Sequence, residues 1–259
     1  MGNILDKIIA QKRAEVARLQ EETSYSELEK LIDLEHQGGF KRALENSATG
    51  IIAEFKRRSP SRDWIFKDAK VEEVIPFYVE AGAATISVLT DFPFFGGTSA
   101  DFKQARALTK TPLLRKDFMV SAYQILESKV LKADAVLLIA AALTKKETLS
   151  LAKLAKSLQL DTLLEVHNEL ELDHLNEYID VVGVNNRDLK RFVTDVGISV
   201  ELAPKIPSDF LKISESGLSS AETLKELRAL GYRGFLMGET FMRTPNHGLA
   251  LTHLINELC

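Results

Sequence analysis

From Ile51 onward, short apolar runs alternate with longer amphipathic stretches. This is the pattern of parallel strands joined by crossover helices: the strands are covered on both faces, while each helix buries one stripe. Eight candidate strands fall near 51–55, 84–89, 113–117, 134–139, 161–166, 180–184, 211–215 and 234–238. Helical spacing follows most of them, over 71–80, 122–131, 146–158, 221–230 and 249–258. In the sixth crossover, Pro204 and Pro207 confine any helix to about 199–204, because proline lacks the amide donor. Ahead of the series, Leu5, Ile9, Val16 and Leu19 form one stripe of a first helix, with Lys12 interrupting it. Ser24 or Ser26 is placed to cap a second short helix through about Leu34, and Gly38-Gly39 ends this region. No Pro/Ser/Gly-rich linker divides the chain. The pattern predicts one (β/α)₈ barrel domain over residues 1–259, with residues 1–48 as an N-terminal helical extension. A doubly wound open sheet satisfies the same periodicity, since alternation alone does not show closure.

The apolar runs end on charge. Ile51-Ile52-Ala53 leads to Glu54-Phe55-Lys56, and Leu113-Leu114 to Arg115-Lys116-Asp117-Phe118. Thr162-Leu163-Leu164 leads to Glu165, Val181-Val182-Gly183-Val184 to Asn185, and Ile213-Ser214 to Glu215. Side chains alternate faces along a strand, so Ile52, Glu54 and Lys56 share a face, as do Leu114, Lys116 and Phe118. Leu163 with Glu165, Val181 with Gly183 and Asn185, and Ile213 with Glu215 follow the same rule. An apolar residue fills the barrel and a polar one crowns it, at the end where barrel enzymes hold their catalytic groups. Two lysines facing three glutamates, beside Asn185 and Arg187, suit acid–base chemistry; a structural ion-pair network is the bland alternative.

The loops add candidate binding chemistry. Ser216-Gly217-Leu218-Ser219 follows the seventh strand, and Gly238-Glu239-Thr240 the eighth, the usual place for a phosphate in a barrel. After the first strand comes Arg57-Arg58-Ser59-Pro60-Ser61-Arg62-Asp63-Trp64, dense enough in polar groups to fold over an anion. Phe92, Phe94 and Phe95 offer an apolar wall for an aromatic ligand. His167, just beyond Glu165, is a candidate base. The other histidines lack ligand spacing, so no metal is assigned.

A net charge of -4 argues against nucleic acid as a partner. Cys259 is the only cysteine, so no internal disulfide forms, which suits a cytoplasmic protein. Met1-Gly2 begins like a myristoylation signal, but Asp6 stands where Ser or Thr is needed. No apolar run is long enough to span a bilayer.

Together, Glu54-Phe55-Lys56 with Ser59-Pro60-Ser61, Phe95-Gly96-Gly97-Thr98, Leu114-Arg115-Lys116-Asp117-Phe118, Glu165-Val166-His167, Asn185-Asn186-Arg187-Asp188-Leu189, Glu215-Ser216-Gly217 and Gly238-Glu239 resemble indole-3-glycerol phosphate synthases. The pieces occur in family order over nearly the whole chain, and Ile4-Leu5-Asp6-Lys7-Ile8-Ile9 with Glu15-Val16 resembles the family's helical extension. The resemblance implies closure of the indole ring in tryptophan biosynthesis, without cofactor or metal. It implies Lys116 as general acid, Glu165 as the acid–base group of dehydration, and Glu54, Lys56, Asn185 and Glu215 completing the catalytic set. Ser59, Ser61, Phe95, Phe118, Arg187, Ser216 and Leu236 are the expected substrate contacts, and Gly217, Gly238 and Glu239 the expected phosphate contacts. A monomer acting on a small phosphorylated molecule is expected. The chain departs from the family where Arg62-Asp63-Trp64 replaces a usual glycine after Ser-Pro-Ser-Lys/Arg, and where Thr98 replaces a common serine. Rival readings are phosphoribosylanthranilate isomerase, whose catalytic cysteine is missing here, a Schiff-base aldolase using Lys56 or Lys116, and a non-catalytic ligand-binding barrel.

Overall fold

The structure is a computed structural model that describes residues 4–188, 193–244 and 246–258; Met1-Gly2, Leu189 and Cys259 lie outside the described residues. Eight parallel strands close on one another in chain order: β1 (Ile51–Phe55), β2 (Thr85–Leu89), β3 (Leu113–Lys116), β4 (Ala135–Ile139), β5 (Asp161–Val166), β6 (Val181–Asn185), β7 (Leu211–Glu215) and β8 (Tyr232–Met237). Pairing of β8 with β1, Phe235 opposite Ile51, completes the ring and excludes the open sheet. β8 begins two residues before its expected start, with an irregularity between Tyr232 and Gly234. A side chain at 234 would meet Ile213 Cγ2 at 2.5 Å, so only glycine lets the strand continue there.

Strand alternation separates two apolar layers. Ile52, Leu114, Leu137, Leu163, Val181, Ile213 and Leu236 pack inside the barrel. Ile51, Ala53, Phe55, Val136, Leu138, Leu164, Val182, Val184 and Phe235 face the helices instead. Burying each large aliphatic side chain contributes roughly 1.5–3 kcal/mol. Between β1 and β2 runs the helix Val71–Glu80, and between β3 and β4 runs the helix Ala122–Val130, capped by Ser121. A capping box of Thr144 with Glu147 opens the helix Lys145–Ser157 after β4. Only a 3₁₀ turn, Glu169–His174, fills the crossover after β5, and a six-residue helix, Gly197–Leu202, ends before Pro204 in the sixth.

The extension holds both ends of the barrel. Helix α1 (Ile4–Glu22) buries Leu5, Ile8, Lys12 and Val16, so the buried stripe runs through Lys12 rather than being broken by it. Ile8 takes the place expected of Ile9, which is half-buried. Ser24, not Ser26, caps α2 (Tyr25–Lys30) in a box with Glu27; this helix stops before Leu34. A third helix, α3 (Phe40–Asn46), follows Gly39, its Lys41 amide donating to Asp161 Oδ2 at 2.9 Å. Phe40 and Leu44 from α3, and Leu5 and Ile8 from α1, join the apolar cluster of the barrel interior.

Candidate active site

The strand ends converge on a cavity of about 420 Å³ at the C-terminal mouth of the barrel. Every strand-end group expected from the sequence lines it: Glu54 on β1 and Lys56 just after it, Lys116 on β3, Glu165 on β5, Asn185 on β6 and Glu215 on β7. Glu54, Lys116, Glu165 and Glu215 each stand two residues beyond an interior apolar residue, and Lys56 and Asn185 four beyond one, so all point the same way.

Their contacts form a compact ionic cluster. Lys116 Nζ lies 3.3 Å from Glu165 Oε2 and in direct contact with Glu215 Oε2. Lys56 makes a contact ion pair with Glu54. The Asn185 side chain hydrogen-bonds to Glu165, and its Oδ1 accepts the Arg187 amide at 3.0 Å. Two glycines make room for these carboxylates. A side chain at 183 would overlap Glu215 Oε1, and one at 238 would meet Glu54 Oε2 at 2.5 Å. Both positions therefore need glycine for space, whatever their backbone angles.

Burial and neighbouring charge push these groups apart in acidity. Burial acts against the Lys116 charge, yet Glu215, Glu165 and Glu54 outweigh it and raise its pKa. Burial acts on Glu165 too, but Lys116 and His167 hold its pKa below the ordinary value. Glu215 goes the other way: burial, with Glu165 and Glu54 nearby, pushes it up to about 7 despite Lys116. One carboxylate stays ionised and the other exchanges a proton near neutrality, the separation that acid–base catalysis uses.

The expected binding residues line the same cavity. Phe95, Phe118 and Leu236 supply apolar surface, the two rings with centroids 5.9 Å apart. Ser59, Ser61, Arg187, Ser216, Gly217, Gly238 and Glu239 supply polar surface. Ser216 and Gly217 are consecutive left-handed residues, φ 68° and 75°, just ahead of the helix Ala221–Ala229. Such a turn at a helix N-terminus aims amides at an anion. Gly217 also approaches Thr194 too closely for a side chain. Asn186 fixes this turn, donating to the Ser216 carbonyl at 3.0 Å. The Glu239 carboxylate is engaged by arginines: Arg243 at 2.9 Å, Arg62 at 3.3 Å and Arg187 at 3.6 Å. Arg187 also donates to the Ser61 hydroxyl at 2.9 Å.

After β1, Arg58–Ser59 pairs with Asp63–Trp64 in a small hairpin. Asp63 occupies the place of the family's usual glycine and is left-handed, φ 52°, a conformation that aspartate tolerates better than most residues. Arg57 is anchored by Asp101 at 2.7 and 2.8 Å and by the Ala69 and Gly96 carbonyls. It is a tether for the loop rather than a solvated charge.

Sequence reasoning missed several contributors. Ile4, Leu5 and Ile8 of α1 line the cavity. Lys12 reaches under the β2 and β3 loops, 3.0 Å from Asp91 and 3.0 Å from Asp117. Asp91 caps the turn carrying Phe94 and Phe95, and Asp117 stands between Lys116 and Phe118. The available signal was a lysine sitting on the apolar stripe of an amphipathic helix. Among the described residues, no group of three His, Cys, Asp or Glu is arranged to hold a metal ion, and no helix is long and apolar enough to cross a membrane.

Comparison with known proteins agrees with this geometry. Residues 5–254 match the family model for indole-3-glycerol phosphate synthase. The chain is 47% identical to that enzyme from Bacteroides thetaiotaomicron over 100% of both chains, and 42% identical to that of Alkaliphilus metalliredigens over 99% of both. Among solved structures, 3-hexulose-6-phosphate synthase from Salmonella typhimurium superposes with TM-score 0.63, covering 81% of this chain and 98% of its own; at 13% identity it shares the fold alone. With full-length identity of this order and a matching family model, this chain belongs to the indole-3-glycerol phosphate synthase family.

Proposed function

We propose that the cavity closes the indole ring of 1-(2-carboxyphenylamino)-1-deoxyribulose 5-phosphate in tryptophan biosynthesis, with Lys116 and Glu165 as its acid and base. The ring carbon bearing the carboxylate attacks the ribulose carbonyl, and Lys116 protonates the oxygen as the carbon–carbon bond forms. Carbon dioxide departs and its bonding electrons restore the aromatic ring. Glu165 then removes a proton from the methylene beside nitrogen and returns it to Lys116 across their 3.3 Å contact; Lys116 gives it to the hydroxyl, which leaves as water. The products are indole-3-glycerol phosphate, carbon dioxide and water. The oxygen takes two protons and the methylene gives one, so each turnover consumes one proton net.

The other residues hold the substrate for this sequence. Lys56, oriented by Glu54, meets the substrate carboxylate; Asn185 steadies Glu165, and Glu215 holds Lys116 in place. Phe95, Phe118 and Leu236, with Leu5 and Ile8 of the extension, receive the aromatic ring. Ser59, Ser61, Arg187 and Ser216 contact the sugar, and the amides at Gly217, Gly238 and Glu239 hold the phosphate. The observation that carries the assignment is the Lys116 ammonium held between two buried carboxylates of opposite acidity. We place the enzyme in the cytoplasm, since its single cysteine asks for no oxidising compartment, and propose that it acts as a monomer.

The test is appearance of indole fluorescence when purified protein meets substrate with no added cofactor. General acid catalysis is worth about 10²–10⁴-fold, so Lys116→Met lowers turnover about a hundredfold or more while a phosphate-bearing analogue still binds. A variant keeping half its turnover removes Lys116 from the mechanism.

A further inference from the structure

Net consumption of one proton per turnover poses a problem for a site this enclosed. Glu165 is 3% exposed and Lys116 9% exposed, and bound substrate covers both further. The proton that Lys116 gives to the carbonyl oxygen has to be replaced from solvent before the next turnover.

A row of side chains leads out from Glu165. Its Oε2 lies 3.3 Å from Lys116 Nζ, and its other oxygen, Oε1, lies 3.5 Å from His167 Nε2. The imidazole lies behind Glu165 rather than in the cavity wall. Its Nδ1 is 3.2 Å from Glu171 Oε2, which also accepts the His167 amide at 2.8 Å. Asn168 caps the 3₁₀ turn and donates to Glu171 Oε1 at 2.7 Å, so the carboxylate is fixed from both sides. Side-chain exposure rises outward along the row, from 4% at Glu165 through 12% at His167 to 17% at Glu171. Among the described residues His167 Nε2 is buried and has no hydrogen-bond partner of its own; its nearest carboxylate oxygen there is that of Glu165.

We propose that Glu171 and His167 form the proton inlet of this site, recharging Lys116 through Glu165. The inference rests on the ring-closure reading above. His167 is a positioning and relay residue, acting through Glu165 without touching substrate. With Nδ1–H held toward Glu171, the protonated ring presents Nε2–H to Glu165. That proton passes to Glu165 Oε1; the carboxyl turns and delivers it to the neutral Lys116 amine. The neutral ring keeps its Nδ1–H, so its recharge is at Nε2: the side chain swings outward past Glu171, takes a solvent proton on Nε2 and returns, and no other atoms change hands. The charges facing the ring are Glu171, Glu165 and, from β7, Glu215; against the cost of burial they hold the imidazole's pKa above its ordinary value.

Rapid mixing of wild type, His167→Asn and Glu171→Gln with excess substrate at about pH 8 tests this. Asparagine retains a donor toward Glu171 but cannot relay a proton. The first turnover draws on the proton already resident on Lys116, and only later ones depend on the inlet. Wild type turning over steadily establishes the reaction itself; no indole product from wild type overturns the ring-closure reading and this inference with it. With wild type active, His167→Asn is expected to release about one product per site at the wild-type rate and then continue at least about tenfold slower. Added imidazole restores the later turnovers in a saturable way, and Glu171→Gln shows a weaker form of the same burst. Steady-state rates of His167→Asn within about twofold of wild type from about pH 6 to 9 overturn the inlet. So does a slowed first turnover that imidazole does not restore, the mark of a merely structural role.

Discussion

Lys12→Met is the most exacting perturbation the structure offers. Lys12 is 1% exposed, and its ammonium sits within 3.0 Å of three carboxylates, Asp91, Asp117 and Glu15. Methionine matches the stem and removes only the charge. Glu15 turns to water, and Asp117 keeps Arg115 at 3.2 Å and the Thr90 hydroxyl at 2.7 Å. Among the described residues Asp91 loses the one cation paired with it, and it retains the Phe94 amide at 3.0 Å. Breaking a buried ion pair by removing one partner costs about 3–5 kcal/mol, and the surviving partners of Asp117 place this case near the lower end, about 3 kcal/mol. Against a total stability of about 5–15 kcal/mol, that is a large share. Denaturant unfolding of wild type, Lys12→Met, Asp91→Asn and the double variant measures it. Removing the Asp91 charge is expected to recover much of the Lys12→Met loss. The sign with pH follows from Asp91, whose pKa burial already raises despite Lys12. Without Lys12 it rises further, so the loss is small in acid, where Asp91 is protonated, and grows as pH rises through the folded-state pKa. A loss below about 1 kcal/mol, or the same loss with and without Asp91→Asn, refutes the claim that this lysine ties the extension to the β2 and β3 loops.

Gly183→Ala drives a methyl into Glu215 Oε1 and to 3.0 Å from Leu163 Cδ1. Overpacking of this kind costs about 1–3 kcal/mol, with kcat falling about tenfold and KM nearly unchanged; a Glu215→Ala background should relieve most of the stability loss in a thermal melt. Glu215 has its pKa raised to about 7, and losing its proton strengthens the negative field on Lys116, making that lysine a weaker acid. Wild-type kcat is therefore expected to fall as pH rises through about 7, and Glu215→Gln to flatten that limb; an unchanged limb assigns it to another group. The same raised pKa means that Glu215 favours the folded state in acid, a contribution lost as pH climbs from the ordinary carboxylate range through about 7.

Much of the architecture was legible along the chain because its cause is local. Alternation at period two placed Ile52 below Glu54 and Leu163 below Glu165, and that parity alone explains why both carboxylates reach one mouth. Pro204 limited the sixth crossover through a missing donor, a property of one residue. Serine marked one helix start, with Ser24 rather than Ser26 taking the cap; the Thr144–Glu147 box went unread.

What tertiary structure alone decided depends on residues far apart in sequence. Closure of the barrel rests on β8 meeting β1, a contact that no window of neighbouring residues encodes. Lys12 looked like a flaw in an apolar stripe; its place inside the protein requires Asp91 and Asp117, which folding brings to it. Gly183 and Gly238 looked like strand and turn glycines, while their need for an absent side chain comes from Glu215 and Glu54 on other strands. The opposite acidities of Glu165 and Glu215 were equally hidden, since each is a glutamate at a strand end. They part because Glu165 has Lys116, His167 and Asn185 around it, whereas burial dominates at Glu215. Periodicity is written into the order of residues along the chain; proximity and desolvation exist only once that chain has closed on itself.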